Sequence, residues 1–390
     1  MQTLIELYDE RPLENVLGVD VFRPNRVVYV CPDGTDEKRI QRQLREYFRN
    51  RGFDPAIRFV KANIYDTGAI LNALRRTVEQ ESDCAMDITG GTDAVLFAAG
   101  LLSAERLIPV FTYSRKKNKF YNIRNADFAA NLPCELRLSV EDSFRMAGGS
   151  MRTGRVDNGI LSRYLDTFEP FFRLYLKYRK DWTHIVTYLQ RASQTAPEAP
   201  IPLEVEAPYV VKGERASRIS APEEALRDLE ALGFLRDLRI VTGEQVSFTF
   251  RDHQIRTWLR DVGSVLELYV YKECLDSGLF DDVRTSAVVD WEDNKREDAV
   301  SNELDVMCTR GVIPVFISCK TCDVKTEALN ELAVLRDRFG GQMAKAAIVT
   351  AERGRTVMRN RAAELNIRVI DLSDLQAGRM GKRIRELMRE

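Results

Sequence analysis

Apolar runs of strand length alternate with segments of helical periodicity along the N-terminal part of the chain. This alternation predicts strands over residues 3–8, 26–31, 57–62, 84–89, 107–113 and 119–123, and helices over 36–51, 66–80 and 93–105. Thr35 comes directly before the first of these helices and is expected to be its N-cap. Strands that alternate with helices predict an α/β fold, here a Rossmann-like, doubly wound parallel sheet.

The middle of the chain follows a different pattern, and residues 158–191 have the periodicity of a helical segment. Its aromatic residues recur at roughly helical spacing, which core packing explains better than stacking on nucleic-acid bases: Tyr164, Phe168, Phe171, Phe172, Tyr175 and Tyr178. Alanine and proline are frequent over 192–208, which predicts an exposed linker. The segments that follow are similar to a winged-helix module, with helices over 222–232 and 253–261 around a hairpin of 234–242 and 245–251. We expect this module to be a spacer that transmits movement rather than a DNA-binding unit.

The C-terminal third returns to mixed helices and strands. A helix over 263–277 carries Glu267, and two apolar runs flanking Arg310 and Gly311 predict a hairpin. The remaining pattern predicts a helix over 326–339, a strand over 344–350, a helix over 356–365 and a strand over 367–372. These changes of pattern divide the chain into three predicted units, 1–150, 151–260 and 261–390.

The predicted hairpin brings acidic and basic side chains together. If its turn centres on Gly311, Asp305 lies across from Ser318 and one pleat from Lys320, and regular alternation puts Glu303 on the face of Asp305. A carboxylate that can hold a divalent cation, next to a lysine that can orient water and stabilise charge, suits metal-assisted phosphodiester hydrolysis. A surface hairpin with ordinary cross-strand charges is an equally weighted alternative on this stretch alone.

With its flanking elements, the hairpin resembles the PD-(D/E)xK nuclease fold. In that family a helix acid, an Asp at a strand end and an acid-x-Lys tripeptide surround the metal, and the resemblance gives these roles to Glu267, Asp305 and Lys320. Ser318 stands where the tripeptide has its acid. The resemblance therefore implies a Mg2+ or Mn2+ site that relies on Asp305, Glu267, water and the carbonyl of Cys319.

The N-terminal sheet predicts a second site, at the carboxyl ends of its strands. Three short loops converge there, over residues 9–11, 32–35 and 89–93. The Gly-Gly-Thr turn allows close approach of backbone to a ligand, and the helix after it offers free amides to a phosphate. The dinucleotide pattern G-x-G-x-x-G is absent, so a site for NAD is not expected. The candidate ligand residues are Asp9, Glu10, Arg11, Pro32, Asp33, Gly34, Thr35, Thr89, Gly90, Gly91 and Thr92.

Residues 87–92, Asp-Ile-Thr-Gly-Gly-Thr, together with 7–15 after the first strand, resemble the CRISPR-associated Rossmann fold domain, called CARF. Joined to a PD-(D/E)xK domain, it has the layout of the ancillary nucleases of type III CRISPR systems. The resemblance implies a homodimer in which a CARF sensor (1–150) binds a cyclic oligoadenylate, expected to be cyclic tetra-adenylate. It also implies that a connector (151–260) leads to a nuclease (261–390) that cuts DNA, RNA or both. The alternative is a CARF-containing regulator whose nuclease-like domain only binds nucleic acid.

The charge and the hydropathy of the chain bear on nucleic-acid binding and on membrane contact. The net charge of −1 gives no bulk argument for nucleic-acid binding, although residues 336–390 hold 13 Lys and Arg against 7 Asp and Glu. That basic flank suits a phosphate backbone and suits ordinary solvated helices equally well. The longest apolar run, 94–102, is too short to span a bilayer. Since the N-terminus also lacks a signal-sequence pattern, we expect a cytoplasmic protein without membrane contact.

The seven cysteines are scattered along the chain and form no disulfide framework, as is typical of a reducing compartment. Cys319 and Cys322 make a lone Cys-x-x-Cys. A zinc site would need two more ligands, and the chain has only two histidines, so zinc binding and redox use of this motif are not expected.

Overall fold

The computed structural model describes residues 1–81, 83–153, 158–194, 201–213, 217–290 and 301–389. The N-terminal residues form a six-stranded sheet in the order β3-β2-β1-β4-β5-β6, in which β6 pairs antiparallel with β5 and the other pairs are parallel. Its strands are β1 (Thr3–Leu7), β2 (Arg26–Pro32), β3 (Ala56–Ala62), β4 (Cys84–Asp87), β5 (Val110–Ser114) and β6 (Lys119–Arg124).

Helices cover both faces of this sheet, which confirms the predicted doubly wound α/β fold. They are α1 (Leu17–Phe22), α2 (Glu37–Asn50), α3 (Thr67–Gln80) and α4 (Asp93–Glu105). Apolar residues of α1 and α2 pack in one core cluster and those of α3 and α4 in another. The predicted N-cap of α2 is wrong by one residue, because the Asp36 side chain, not that of Thr35, accepts a hydrogen bond from the Arg39 N–H at 3.2 Å.

A second six-stranded sheet lies in the C-terminal half, in the order β17-β16-β15-β14-β13-β7. Its strands are β7 (Ser150–Thr153), β13 (Asp282–Asp290), β14 (Ser301–Arg310), β15 (Ile313–Lys320), β16 (Lys345–Thr350) and β17 (Ile367–Ile370). The pairs among β15, β16 and β17 are parallel and the others antiparallel. The predicted hairpin is confirmed as β14 and β15, but the sequence pattern missed β13 and β7.

Helices pack around the second sheet at the predicted places, and there are others that the pattern missed. The helices are α5 (Val140–Met146), α11 (Ser264–Asp276), α12 (Thr326–Gly340), α13 (Thr356–Glu364), α14 (Leu372–Gln376) and α15 (Met380–Leu387). Val140 and Phe144 of α5 belong to the same buried cluster as Phe316 and Phe339. Helix α5 thus packs with the second sheet, although it precedes residue 150 in the chain. The three-unit division of the chain remains a prediction.

Between β7 and α11 the chain forms a further group of elements. These are α6 (Asn158–Leu161), α7 (Leu165–Lys177), α8 (Trp182–Ala192), β8 (Glu204–Pro208), β9 (Val210–Lys212), β10 (Arg218–Ser220), α9 (Glu223–Ala231), β11 (Leu235–Val241), β12 (Gln245–Phe250) and α10 (His253–Leu259). The helical segment over 158–191 therefore consists of three α-helices, with a 3-10 helix (Ser162–Tyr164) between α6 and α7. The predicted linker over 192–208 is partly wrong, because β8 pairs with β12 and buries Val205 and Ala207. The rest of that prediction includes 195–200, outside the described residues.

The aromatic stripe packs inside this group, as predicted. Phe168 and Phe171 are buried beside Trp258 and Trp182, with edge-to-face ring contacts. Phe172 stacks on Tyr269 of α11 with ring centroids 3.8 Å apart. Because of this contact, the middle segment and α11 share one continuous core.

The tip of the β14–β15 hairpin enters the core of the N-terminal sheet. Val312, in the turn, is only 4% exposed and belongs to the buried cluster formed by α1, α2 and their side of that sheet. The N–H of Leu138 donates to the carbonyl of Gly311 at 2.9 Å. The hairpin of the second sheet therefore packs in the core cluster that lies against the first sheet.

Candidate active site

The β14–β15 hairpin brings Asp305 against Ser318 and Lys320. Its ladder runs from the turn to the pair of Val306 with Ile317, and the next rung in this register sets Asp305 opposite Ser318, as the sequence predicted. Ser318 Oγ donates to Asp305 Oδ2 at 3.1 Å, and Lys320 Nζ lies 3.5 Å from the same oxygen. The acid and the lysine therefore form a contact pair.

The two strands separate beyond that ladder, and the Asp305 side chain lies where they part. The N–H of Cys319 donates to Asp305 Oδ2 at 2.6 Å, whereas β15 stays paired with β16 as far as Lys320. A hydrogen bond from a backbone N–H to a carboxylate is among the stronger contacts in proteins. Asp305 is therefore held in a fixed orientation at the end of the hairpin.

The rung between Asp305 and β13 is irregular. The β13–β14 register is the same before and after this rung, but Ser286 and Asp305 do not pair in the ladder. Ser286 has φ 50°, in the left-handed region. In a regular strand, Leu304 and Val306 would lie on the same face of the sheet. Here they belong to two different core clusters, so the side chains of β14 change faces between these two residues. The regular alternation along β14 is therefore broken at Asp305. Because Leu304 belongs to the core cluster that does not include α11, its neighbour Glu303 lies on the opposite face, which α11 covers.

Glu267 approaches the site from α11. Its Oε2 lies 3.5 Å from Ser286 Oγ. Burial, together with the charges of nearby carboxylates that include Asp305 and Glu303, raises the pKa of Glu267 to about 8 against the opposing effect of Lys320. In the absence of a cation, these causes therefore favour the protonated form of this carboxyl group.

Lys320 keeps its charge in this setting. Burial acts to lower the pKa of its ammonium group, but the charge of Asp305 and other nearby groups outweighs burial and raises that pKa. A fixed ammonium group beside a carboxylate can stabilise negative charge that develops on a substrate oxygen.

The donor set suits a hard divalent cation in charge and chemistry. Asp305 and Glu267 offer carboxylate oxygens, the ligands that Mg2+ prefers, and a bound cation would relieve the repulsion that raises the pKa of Glu267. Among the described residues, however, no group of three His, Cys, Asp or Glu side chains lies close enough together to hold a metal ion. Cys319 donates its N–H to Asp305 and buries its side chain, and a metal-ligating role for its carbonyl remains a prediction.

The predicted ligand loops meet at the carboxyl edge of the first sheet. Strands β2, β1 and β4 are adjacent and parallel, so the loops over 32–35, 9–11 and 89–92 adjoin each other. The strand order reverses between β1 and β4, where open sheets of this type bind ligands. The Gly91 N–H donates to Asp9 Oδ2 at 3.0 Å and joins two of the loops.

Some of these residues are engaged within the chain. Asp9 also forms an ion pair of 2.6 Å with Arg11, and the Thr89 hydroxyl accepts the Tyr113 N–H at 2.9 Å and donates to Asp87. The residues that are exposed at this edge are Glu10, Asp33, Gly34 and Thr92, with Pro32 and Thr35 partly exposed.

The two glycines serve the local backbone. A Cβ at Gly90 would lie 2.8 Å from the carbonyl oxygen of Leu7, and Gly91 has φ 95°. Both positions therefore need glycine for the fold itself, whatever they contribute to a ligand site.

A buried pair of acids lies beneath the same edge, and the sequence analysis missed it. Glu6 and Asp87 are neighbours on β1 and β4, and both are fully buried. Neither Glu6 carboxylate oxygen, nor Asp87 Oδ2, has a hydrogen-bond partner. Burial raises the pKa of Asp87 to about 7 and that of Glu6 well above its ordinary value. The sequence signal is an acid within each of two otherwise apolar strands.

The C-terminal part of the chain matches a known class of domain. The family model for the Card1-like endonuclease domain matches residues 254–390. This range contains α11 and the hairpin, and therefore Glu267, Asp305, Ser318 and Lys320. Residues 254–390 are thus similar to an endonuclease domain.

Two solved structures share the fold of the whole chain. Protein VC1899 from Vibrio cholerae has a TM-score of 0.75 and 18% sequence identity, and the match covers 99% of this chain and 98% of that chain. Can2 from Sulfobacillus thermosulfidooxidans, in complex with cyclic tetra-adenylate, has a TM-score of 0.71 and 17% identity, with the same coverage. A search of the curated proteins found no match. Among the described residues, no helix is long and apolar enough to cross a membrane.

Proposed function

We propose that this chain is a metal-dependent nuclease, activated by a cyclic oligoadenylate, that acts in type III CRISPR antiviral defence. The observation that carries the proposal is the contact of Asp305 with Lys320, near the half-buried Glu267, within residues that match an endonuclease model. The shared fold with Can2, which binds cyclic tetra-adenylate, supports the choice of activator.

In the proposed reaction, Asp305 and Glu267 hold Mg2+ or Mn2+. When bound, the ion supplies Lewis-acid activation for hydrolysis of a DNA or RNA phosphodiester bond. Ser318 and the Cys319 N–H keep the Asp305 carboxylate oriented. The Lys320 ammonium group stabilises negative charge on the phosphate oxygens, and Glu267 releases its proton as the cation binds.

The proposed activator site is the carboxyl edge of the first sheet, at loops 9–11, 32–35 and 89–92. Helix α4 begins there, and its first N–H groups and dipole suit a phosphate. A cyclic tetra-adenylate is two-fold symmetric, as is an isologous homodimer interface. One ring per two chains, on the two-fold axis, is therefore the proposed stoichiometry.

For the coupling between the two sites, the packing supports a shorter path than the connector that the sequence suggested. The hairpin that carries Asp305 has its tip, at Val312, in the core of the sensor sheet. A ligand that favours one arrangement of that sheet can therefore bias the hairpin directly. The middle segment contributes a second path through the stacking of Phe172 on Tyr269 of α11.

A regulator that binds nucleic acid without cutting it is the second candidate, and Ser318 favours it because its hydroxyl is neutral. Incubation of plasmid DNA and single-stranded RNA with Mg2+, Mn2+ or EDTA, in the presence of cyclic tetra-adenylate, separates the two. The nuclease predicts cleavage that requires the cation. Intact substrates under every condition, with retained binding, would favour the regulator.

A further inference from the structure

Arg353 is an exposed arginine in the loop that follows β16. Its neighbour in the basic C-terminal flank, Arg355, pairs with Asp323. Arg359 likewise pairs with Asp371, at 2.6 Å. Among the residues that the structure describes, the Arg353 side chain has no hydrogen-bond or ion-pair partner. Its guanidinium group is therefore available to a ligand from solvent.

The backbone on both sides of Arg353 is held in place. The carbonyl of Glu352 accepts the Leu372 N–H at 3.2 Å. The N–H of Gly354 donates to Asp371 Oδ2 at 3.0 Å. A ligand that binds Arg353 therefore has to order one side chain and not a whole loop, which lowers the entropic cost of binding.

This loop lies next to the strand that carries Lys320. Lys320 pairs with Thr350 in the β15–β16 ladder, and its carbonyl accepts the Ala351 N–H at 3.0 Å. Arg353 comes three residues after Thr350, so their Cα atoms are within about 11 Å of each other. Phosphates of one strand of a duplex recur about every 3.4 Å along the axis. A strand that places one phosphate at Lys320 can therefore bring another to Arg353.

A second cation of the same kind lies on the loop after β15. Lys325 is exposed, and its ammonium group has no partner within the described part of the chain. The two loops are joined, because the Thr350 hydroxyl donates to the carbonyl of Cys322 at 3.2 Å. The ion pair of Asp323 with Arg355 joins them again. Two unpaired cations thus lie on linked loops at the sheet edge where β15 ends with Lys320.

We propose that Arg353, together with Lys325, contacts backbone phosphates of the nucleic-acid strand that reaches Lys320. This inference rests on the proposed nuclease function and names residues that position its substrate. Arginine suits the role, since its planar group can form two parallel hydrogen bonds to a phosphate. Such contacts fix the position of a strand without reading its sequence. The two residues hold the strand and take no part in the hydrolysis itself.

Binding of labelled single-stranded DNA and RNA to the full chain tests the proposal without cleavage. The titrations contain cyclic tetra-adenylate and EDTA, at salt concentrations between about 50 and 200 mM. For Arg353→Gln we expect affinity to fall by about tenfold, because a hydrogen-bonded contact with a charged group is lost. The plot of log affinity against log salt should become shallower by about 0.7, and by roughly twice that when Lys325→Gln is added.

Two further variants separate a phosphate contact from other effects. Arg353→Lys keeps the charge and should keep the salt dependence of the parent chain. Arg338→Gln removes another exposed arginine without a partner among the described residues, in the last turn of α12. It lies about 20 Å along that helix from Lys325 and should bind as the parent does. An equal loss in Arg338→Gln and Arg353→Gln would reduce the effect to net charge and overturn the proposal.

Steady-state cleavage with Mn2+ adds a readout that a structural role would not produce. Arg353→Gln should raise KM by about tenfold and leave kcat near the parent value, since the contact is the same in the bound substrate and in the transition state. A lower kcat with unchanged KM would overturn the positioning role.

The outcomes distinguish this inference from the proposed function. Parent-like affinity and salt dependence in Arg353→Gln, with cleavage by the parent chain, would overturn the role of Arg353 and leave the nuclease in place. Cleavage absent from the parent chain, with the expected loss of binding in Arg353→Gln, would overturn the nuclease and leave the phosphate contact. If the parent chain bound neither nucleic acid, the inference would be overturned.

Discussion

Asp305 is the residue on which the candidate active site depends most closely, because one of its oxygens accepts from Ser318 and Cys319 and contacts Lys320. Asp305→Asn keeps the shape of the side chain and removes its charge. Cleavage should fall by at least about 100-fold, since a metal ligand is weakened. Single-turnover cleavage rates measure this loss, and thermal melting should show that the variant is folded.

The control for Asp305→Asn is Asp276→Asn, a largely exposed acid at the end of α11 that pairs with Lys272. Its cleavage rate should match that of the parent chain. Full activity in Asp305→Asn would show that the hydrolytic site lies elsewhere.

The buried pair of Glu6 and Asp87 predicts stability that falls as the pH rises. In the unfolded chain both carboxyl groups ionise at about pH 4, whereas burial raises the pKa of folded Asp87 to about 7 and that of Glu6 well above its usual range. Between these values the folded state binds more protons, so rising pH favours unfolding. Asp87→Asn keeps an acceptor for Thr89 and removes one titrating group.

Thermal melting in metal-free buffer, between about pH 5 and 8, measures this effect. The melting temperature of Asp87→Asn should fall less steeply with pH than that of the parent chain, whereas the exposed Asp33→Asn should follow the parent. Parallel slopes for Asp87→Asn and the parent would show that this pair does not hold its protons.

At the scale of elements, the turn over 89–92 needs a probe that spares the fold. From the sequence, Gly91→Val is the natural choice to block a ligand. However, Gly91 has φ 95° and an added Cβ would lie 3.0 Å from Leu7 Cβ, so a loss of binding in that variant would report on folding. The structure therefore directs attention to its neighbour, Thr92.

Thr92 precedes α4 and is exposed, and its side chain makes no capping hydrogen bond. Thr92→Val removes a hydroxyl at little cost to the helix. If that hydroxyl contacts a phosphate of the activator, the affinity for cyclic tetra-adenylate should fall by about tenfold or more, because a hydrogen bond to a charged group is lost. Calorimetry measures the affinity, and an unchanged value would remove Thr92 from the proposed ligand site.

The β14–β15 hairpin is the element that should couple the two sites. Val312→Ala shortens the side chain that anchors its tip in the sensor core, at a cost of about 2 kcal/mol in stability. We expect ring affinity and unstimulated cleavage to stay near parent values, while the acceleration by the ring decreases. Cleavage rates with and without cyclic tetra-adenylate test this. Full acceleration in Val312→Ala would show that the hairpin tip does not couple the two sites and would favour the connector.

These elements also show how far sequence reasoning extends. The short turn at Gly311, which has φ 58°, fixed the hairpin register, so the contacts of Asp305 with Ser318 and Lys320 could be predicted. Strand β13 could not, because it exchanges faces at Ser286 and loses the alternation that marks a strand.

Over the whole molecule, the two sheets are joined in ways that the order of elements along the chain does not reveal. Helix α5 and β7 precede the middle segment but pack with the second sheet, and Val312, in the turn between β14 and β15, lies in the core cluster of the first sheet. Such contacts join residues far apart in sequence, and local periodicity carries no information about them. The proposed sensor and the proposed nuclease, joined in this way, can bias each other reciprocally.

The central claim is that a cyclic oligoadenylate bound at the first sheet accelerates cleavage at the hairpin of the second. The most direct measurement is the initial rate of cleavage of plasmid DNA and of single-stranded RNA with Mn2+, with and without cyclic tetra-adenylate. We predict a rate at least about tenfold higher with the ring, as a coupling free energy of about 1.4 kcal/mol requires, and no cleavage in Asp305→Asn under either condition. Equal rates with and without the ring, for both substrates, would contradict the account.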